Sequence, residues 1–239
     1  MFDPDGYKDV NDTLGHSPGD ELLQEVARRL TALAAGANIY RLGGDEFVAI
    51  LPRCGGQAEV AEFVAQVLKH LSDCFYIKEQ RLFIGASAGV AMAPADGSDV
   101  EELIASADLA LYAAKASGGN SCRFFVPDLR AKAQERRVLD LELRRAHVDG
   151  EFELFYQPQI RLNDGMVVGA EALLRWRHPE RGVLAPAAFI DTLASSGLAH
   201  EVGNWILRTA CQQMAAWHAK SFPPIRIGVN LFPRSEERR

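Results

Sequence analysis

The chain is 239 residues long with 48% hydrophobic and 24% charged residues and a net charge of −6. That length allows one or two domains with a substantial core, and the acidic balance argues against general nucleic-acid binding. No apolar run approaches the roughly 18 residues of a membrane span, and no charged-then-apolar leader opens the sequence. Cys54, Cys74, Cys122 and Cys211 are scattered without Cys-x-x-Cys pairing, and the six histidines show no metal spacing, as expected of free thiols in a reducing cytoplasm.

In chain order, the run Asp3-Pro4-Asp5-Gly6-Tyr7-Lys8, then Asn11-Asp12-Thr13-Leu14-Gly15-His16 and Gly19-Asp20, gathers carboxylates, an amide and an ammonium. Ser17-Pro18 offers an N-cap with proline at the first helical position, and Leu22, Leu23, Val26, Leu30 and Leu33 make an apolar helix face through about Ala35. Ile39 to Leu42 and Phe47 to Leu51 read as strands, joined by a two-residue turn at Gly43-Gly44, where glycine supplies positive φ. Val60, Val64, Val67, Leu68 and Leu71 mark a second helix, Leu82 to Ala93 a strand, Val100 to Ser117 a third helix ending at Gly118-Gly119, and Ser121 to Val126 a closing strand. These elements predict an α/β sheet covered by helices.

From Pro127 to about Gly150 the composition turns to Arg, Lys, Glu, Leu and Ala, which predicts a connecting helix. Its basic residues are interleaved with acids, the pattern of a solvated helix face. Further strands are expected at Phe152 to Ile160, Met166 to Trp176 and Ile225 to Asn230.

The segment Arg41-Leu-Gly-Gly-Asp-Glu-Phe47 sets two carboxylates at a tight turn between apolar runs. Taken alone it is more simply a plain hairpin with solvated acids at its tip. Its company changes the reading: Mg²⁺ is usually held by one or two carboxylates plus substrate phosphates, and Asp3 with Asp45 supplies such a pair. A nearby lysine neutralises phosphate charge, and an Asn with an Asp reads the polar edge of a purine.

With these motifs the chain resembles the GGDEF family of diguanylate cyclases over residues 1 to about 126, including the run Asp108-Leu-Ala-Leu-Tyr-Ala-Ala-Lys115. The resemblance implies condensation of two GTP molecules into cyclic di-GMP by a homodimer, with Mg²⁺ or Mn²⁺. It makes Asp3, the Pro4 carbonyl and Asp45 metal contacts, Asn11 and Asp20 guanine contacts, and Lys8 and Lys115 phosphate contacts. Asp45 and Glu46 are the candidates for metal or proton work in catalysis.

Four departures from the family pattern stand out. Gly119 replaces the usual arginine of Lys-x-x-Gly-Arg-Asn, Pro4 replaces an aliphatic residue, and Ala34-Ala35-Gly36-Ala37 stands where the Arg-x-x-Asp product-inhibition site is expected. Only Met1 and Phe2 precede Asp3, so the first central strand is expected to be largely missing, with two unpaired edges beside it.

Residues 151–239 resemble the start of the EAL family of cyclic di-GMP phosphodiesterases, through Phe155-Tyr-Gln-Pro158, Glu171-Ala-Leu-Leu-Arg-Trp176, Phe189-Ile190, Gly197-Leu198 and Val229-Asn-Leu231. The resemblance makes Glu171 and Asn230 metal ligands, Arg175 a phosphate contact and Gln157 a substrate contact. The family fold is a TIM-like barrel of about 250 residues, so an incomplete barrel without hydrolytic activity is expected here. The tail Phe232-Pro-Arg-Ser-Glu-Glu-Arg-Arg239 departs from the family's polar Ser-x-x-Gln. The expected organisation is a GGDEF domain at 1–126, a connecting helix at 127–150 and a partial EAL domain at 151–239. The alternatives to a cyclase are a GTP-binding module without turnover and an inactive fragment.

Overall fold

A computed structural model of the chain describes residues 1–34, 36–220 and 222–232. The described chain forms two compact units, Met1–Ala133 and Gln134–Arg239. The expectation about the tail at 233–239 lies outside the described residues, as does Ala35.

The first unit runs β1 (Phe2–Asp5), α1 (Tyr7–Leu14), α2 (His16–Ala32), β2 (Asn38–Gly43), β3 (Glu46–Ile50), α3 (Gln57–Ser72), β4 (Phe75–Ile77), β5 (Gln80–Leu82), β6 (Gly85–Val90), α4 (Val100–Ala116) and β7 (Cys122–Phe124). Five strands form one sheet in the order β2-β3-β1-β6-β7, and β4 with β5 forms a separate hairpin. All neighbours in the larger sheet are antiparallel except β6 and β7.

The first strand is short, and it still takes the central place. β1 pairs with β6 at four positions, Phe2↔Ala88 through Asp5↔Gly85, and with β3 at Phe2↔Phe47. The two unpaired edges expected beside it are therefore bridged. Phe2 anchors the strand: it is buried in the core and meets Phe63 edge-on at 6.5 Å, a burial worth about 2 kcal/mol. Met1 and Gly89 exchange backbone hydrogen bonds, so odd residues of β1 face β6 and even ones face β3. Pro4 thus turns its missing N–H toward β3, beyond the point where that ladder ends.

Three local expectations are corrected. The hairpin turn is centred on Gly44-Asp45, because Gly43 pairs with Glu46 across a bulge and only Gly44 has positive φ, at 52°. Helix α2 starts at His16 after Gly15, and Pro18 lies inside its first turn, where no intrahelical N–H is required of it. The expected strand from Leu82 to Ala93 is ordered as β6 only from Gly85 to Val90. Behind the sheet, Leu22, Val26, Leu30, Val60, Val64, Val67, Leu71 and Phe75 form the core with Phe2 and Phe47, which is the helix periodicity read from the sequence.

The second unit is entered through α5 (Pro127–Val148) and continues with β8 (Phe152–Ile160), β9 (Val167–His178), β10 (Gly182–Leu184), a 3₁₀ turn at Pro186–Ala188, α6 (Ile190–Ser195), α7 (Ala199–Ala219) and β11 (Arg226–Val229). β9 is the hub of a four-stranded sheet: β8 and β10 run antiparallel to it and β11 runs parallel. Along β9, Ala170, Ala172, Leu174, Trp176 and His178 are buried on one face, and Leu174 and Trp176 share a core with Leu143, Phe189, Leu193 and Val202. The alternating residues Glu171, Leu173, Arg175 and Arg177 take the other face.

Candidate functional site

The site of the first unit grows from the alternation of β1. Asp3 and Asp5 are two apart in one strand, so they share a face. Asp5 is fixed: Ser87 Oγ donates to its two carboxylate oxygens at 2.9 and 3.0 Å, and the N–H of Asn120 donates at 2.7 Å. Asp3 is buried and forms an ion pair with Lys115 from the last turn of α4. Continuing the β1–β3 register past Phe2↔Phe47 brings the Gly44-Asp45 turn level with Pro4, whose carbonyl points to that side.

The electrostatics report the same convergence. Burial pushes the Asp3 carboxyl above its usual range, the hydrogen bond and charge of Lys115 pull it back, and the charges of Asp45 and Asp5 push it further up. Three carboxylates beside one ammonium leave excess negative charge in a poorly solvated place. Such a place suits a divalent cation. Among the described residues no group of three or more His, Cys, Asp or Glu side chains is arranged to hold an ion by itself. Two carboxylates and a carbonyl that need phosphate and water to complete the shell match the habit of Mg²⁺.

Helix α1 starts directly after this strand, at Gly6 with φ 78° and without a side-chain cap. Its free first-turn N–H groups favour phosphate. Lys8 and Asn11 are three apart on α1 and therefore adjacent on its surface; Lys8 is exposed. Asn11 packs on Gly19 of α2, where a Cβ would stand 1.8 Å from its Oδ1, and that Oδ1 is buried with no hydrogen-bond partner. Asp20, the next residue of α2, is exposed beside a cavity of about 320 Å³ lined also by Leu23, Gln24, Arg41 and Phe47. Glu46 is half-buried in β3, opposite Gly43.

The sequence reading did not single out Ser87 and Asn120, which orient Asp5. The Asp3-x-Asp5 spacing was the available signal, since two carboxylates on one strand face require a partner across the ladder. Gly119 sits at φ +70°, where a Cβ would lie 3.0 Å from Asp5 Oδ2. The local backbone explains a glycine there, and no guanidinium from this position reaches the site.

In the second unit, Glu171 and Asn230 meet directly: Asn230 Nδ2 donates to Glu171 Oε1 at 2.8 Å. Gln157 stands opposite Glu171 in the β8–β9 ladder. Arg175 lies four residues along the same face, donates to the Leu174 carbonyl at 2.8 Å and stacks over Phe155 at 5.4 Å. Three adjacent strands thus bring all four expected residues to the sheet face opposite the buried one.

The first unit thus carries carboxylates at the end of β1 beside a glycine turn, and the second a Glu–Asn–Gln–Arg row on one sheet face. The family profile described as "Diguanylate cyclase, GGDEF domain" matches residues 1–121, and that of the EAL domain matches residues 140–238. The chain belongs to the GGDEF family, with EAL-family sequence following it. It is similar to MucR of Pseudomonas aeruginosa, named a bifunctional diguanylate cyclase/cyclic di-GMP phosphodiesterase, with 40% identity over 97% of this chain and 34% of that protein. It is also similar to NbdA of the same organism, named a cyclic di-GMP phosphodiesterase, with 36% identity over 96% of this chain and 29% of that protein. The chain therefore spans about a third of the length of these relatives. Among solved structures, an EAL/GGDEF domain protein from M. capsulatus superposes with a TM-score of 0.51 at 37% identity, covering 53% of this chain and 82% of that one.

Proposed function

We propose that the first unit condenses GTP into cyclic di-GMP and that the chain serves cyclic di-GMP signalling in the cytoplasm. What supports this reading is buried Asp3 paired with Lys115 at the end of β1, with Asp5 on the same strand face and the β1–β3 register setting the Gly44-Asp45 turn level with Pro4. Guanine offers two neighbouring donors, N1–H and the 2-amino group; the Asn11 Oδ1 and the Asp20 carboxylate are acceptors for them, and adenine lacks that pattern. Lys8 and the start of α1 take the outer phosphates. Lys115 exchanges its Asp3 partner for phosphate oxygens when nucleotide arrives.

In the reaction the ribose 3′-hydroxyl of one GTP attacks the α-phosphorus of the other and pyrophosphate leaves; the symmetric second attack closes the ring. Asp3, Asp45 and the Pro4 carbonyl would hold Mg²⁺ or Mn²⁺, which would supply charge stabilisation for the phosphoryl transfer. Asp45 and Glu46 orient the hydroxyl and accept its proton. One domain holds one nucleotide, so two copies must face each other. We assign the cyclase domain to residues 1–126, the connecting helix to 127–150 and the EAL portion to 151–239.

We assign no hydrolysis of cyclic di-GMP to the described residues of the EAL portion. Glu171 offers one carboxylate, already bonded to Asn230, and a metal-assisted phosphodiester cleavage needs a fuller acidic shell. Gln157, Glu171, Arg175 and Asn230 form an incomplete EAL site.

Purified protein with GTP and Mg²⁺ is expected to release cyclic di-GMP and pyrophosphate, and Asp45→Ala to cut product formation by at least about 100-fold. Unchanged turnover in that variant would remove Asp45 from the site. A second reading, GTP binding without turnover, draws on Gly119 in place of a phosphate-binding arginine. It predicts a GTP-dependent rise in melting temperature with no product.

A further inference from the structure

The end of α4 is tied to β1 at two places. Lys115 pairs with Asp3, and the Asn120 N–H donates to Asp5 Oδ2 at 2.7 Å. Between them the chain reverses through Gly118, Gly119 and Asn120, whose φ values are all positive, at 108°, 70° and 44°. Glycine takes such a backbone freely; for asparagine it is an uncommon state that neighbouring contacts must favour. Asn120 has two such contacts: Asp5 takes its N–H, and its Oδ1 accepts from Ser72 Oγ at 3.3 Å. The loop closes tightly on the carboxylate, since a Cβ on Gly119 would stand 3.0 Å from Asp5 Oδ2 and 3.2 Å from its Cγ.

Asp5 is itself anchored in the sheet. Ser87 Oγ, fully buried on the neighbouring β6, donates to Oδ1 at 2.9 Å and to Oδ2 at 3.0 Å. Both oxygens of Asp5 are therefore turned to protein donors. We propose that Asp5 is a positioning residue and not an ion ligand: it grips loop 118–120 and thereby keeps Lys115 at β1. When phosphate draws Lys115 away from Asp3, the Asn120 hydrogen bond still ties the end of α4 to β1, so the ammonium swings without leaving the site. This use of the anchor rests on the cyclase reading; the anchor itself does not.

A charge-matched pair of variants tests it in the whole chain. Asp5→Asn keeps an acceptor for the Asn120 N–H, and its amide donates to Ser87 Oγ; Asp5→Ala does neither, and both lack the charge. Acylation by acetic anhydride without nucleotide, read by mass spectrometry, reports how freely the Lys115 amine leaves its partner. Lys115 is expected to react about tenfold faster in Asp5→Ala than in Asp5→Asn, the scale of one lost hydrogen bond. Exposed Lys69 and Lys132 should react alike in the two. Equal rates at Lys115 would overturn the anchor. So would an equal rise at Lys69 and Lys132, which would mean that Asp5→Ala loosens the whole unit. Should Asp5→Ala fail to melt cooperatively, Ser87→Ala serves instead: it leaves Asp5 only the Asn120 N–H and is expected to speed Lys115 about threefold over the native chain. An unchanged rate there would equally overturn the anchor.

Binding separates the anchor from the cyclase reading. The probe is the α,β-methylene analogue of GTP with Mg²⁺, whose α–β bridge cannot break, titrated by calorimetry. Asp5→Asn is expected to bind it about tenfold tighter than Asp5→Ala. The gap should close in a Lys115→Met background, because residues that act through one another are not additive. A gap that survives Lys115→Met would mean that Asp5 meets the ligand or its ion directly, and would overturn the positioning role. Equal affinities with the acylation difference intact would count against Lys115 as a phosphate contact, and so against the cyclase reading alone.

Discussion

Asp3 is where burial and chemistry pull against each other. Its carboxyl titrates above the ordinary value of about 4, because burial and the Asp45 and Asp5 charges outweigh Lys115. A folded value above the unfolded one means that the protonated form is the better-buried form. Its contribution to stability is present below the unfolded value and is lost as pH climbs through the raised one. At neutral pH, then, ionised Asp3 costs stability that a cation would return. Asp3→Asn is expected to melt higher than the native chain at neutral pH without Mg²⁺, the advantage shrinking on acidification, and to lose the Mg²⁺-dependent rise in the presence of GTP. A lower melting temperature at neutral pH would mean that the Lys115 pair outweighs the burial. Gly19 tests the base pocket in the same manner. A methyl there displaces the Asn11 amide and leaves the backbone alone. Gly19→Ala should keep a cooperative melt and weaken GTP binding by about tenfold, the loss of one hydrogen bond of about 1.4 kcal/mol, read by calorimetry against ATP as a control.

Among elements, periodicity made α2 and α3 legible, because their buried residues recur at helical spacing, while α5 was read from its composition. Strands β8 and β11 were expected from their β-prone runs Phe152 to Ile160 and Ile225 to Asn230. Helix α7 escaped although its buried Ala199, Val202, Ile206 and Ala210 recur at helical spacing; α1 and the β4–β5 hairpin had no such signal. Helix α1 is written in Asn, Asp, Thr and Lys, types that read as turn, and tertiary contact at Tyr7 and Val10 holds it. The β4–β5 turn places Lys78 and Glu79 at φ 46° and 66°, a positive-φ hairpin without the glycine that advertises one. Close approach between elements is equally silent in a single sequence. Gly89 of β6 is the clearest case: a Cβ there would stand 2.1 Å from the Ala107 carbonyl oxygen and 2.3 Å from the Leu111 nitrogen of α4. Neither backbone atom can rotate away, so β6 and α4 must separate. Gly89→Ala is expected to cost about 3 kcal/mol or more, measured by urea unfolding. A loss below about 1 kcal/mol would show that α4 slides freely on the sheet. Because α4 carries Lys115, the same variant should loosen the Asp3 pair.

For the whole molecule, the candidate site residues stood out in the sequence by type and company, and the two families were legible from them. The geometry behind it was hidden: the sharing of one strand face by Asp3 and Asp5, and the meeting of Glu171 with Asn230 from strands 59 residues apart. The proposed condensation joins nucleotides held by two copies, and this imposes a rate law. Below the association constant, product per mole of chain should rise in proportion to chain concentration and level off once the copies are paired. A flat profile from nanomolar to micromolar concentration would contradict the need for two facing domains.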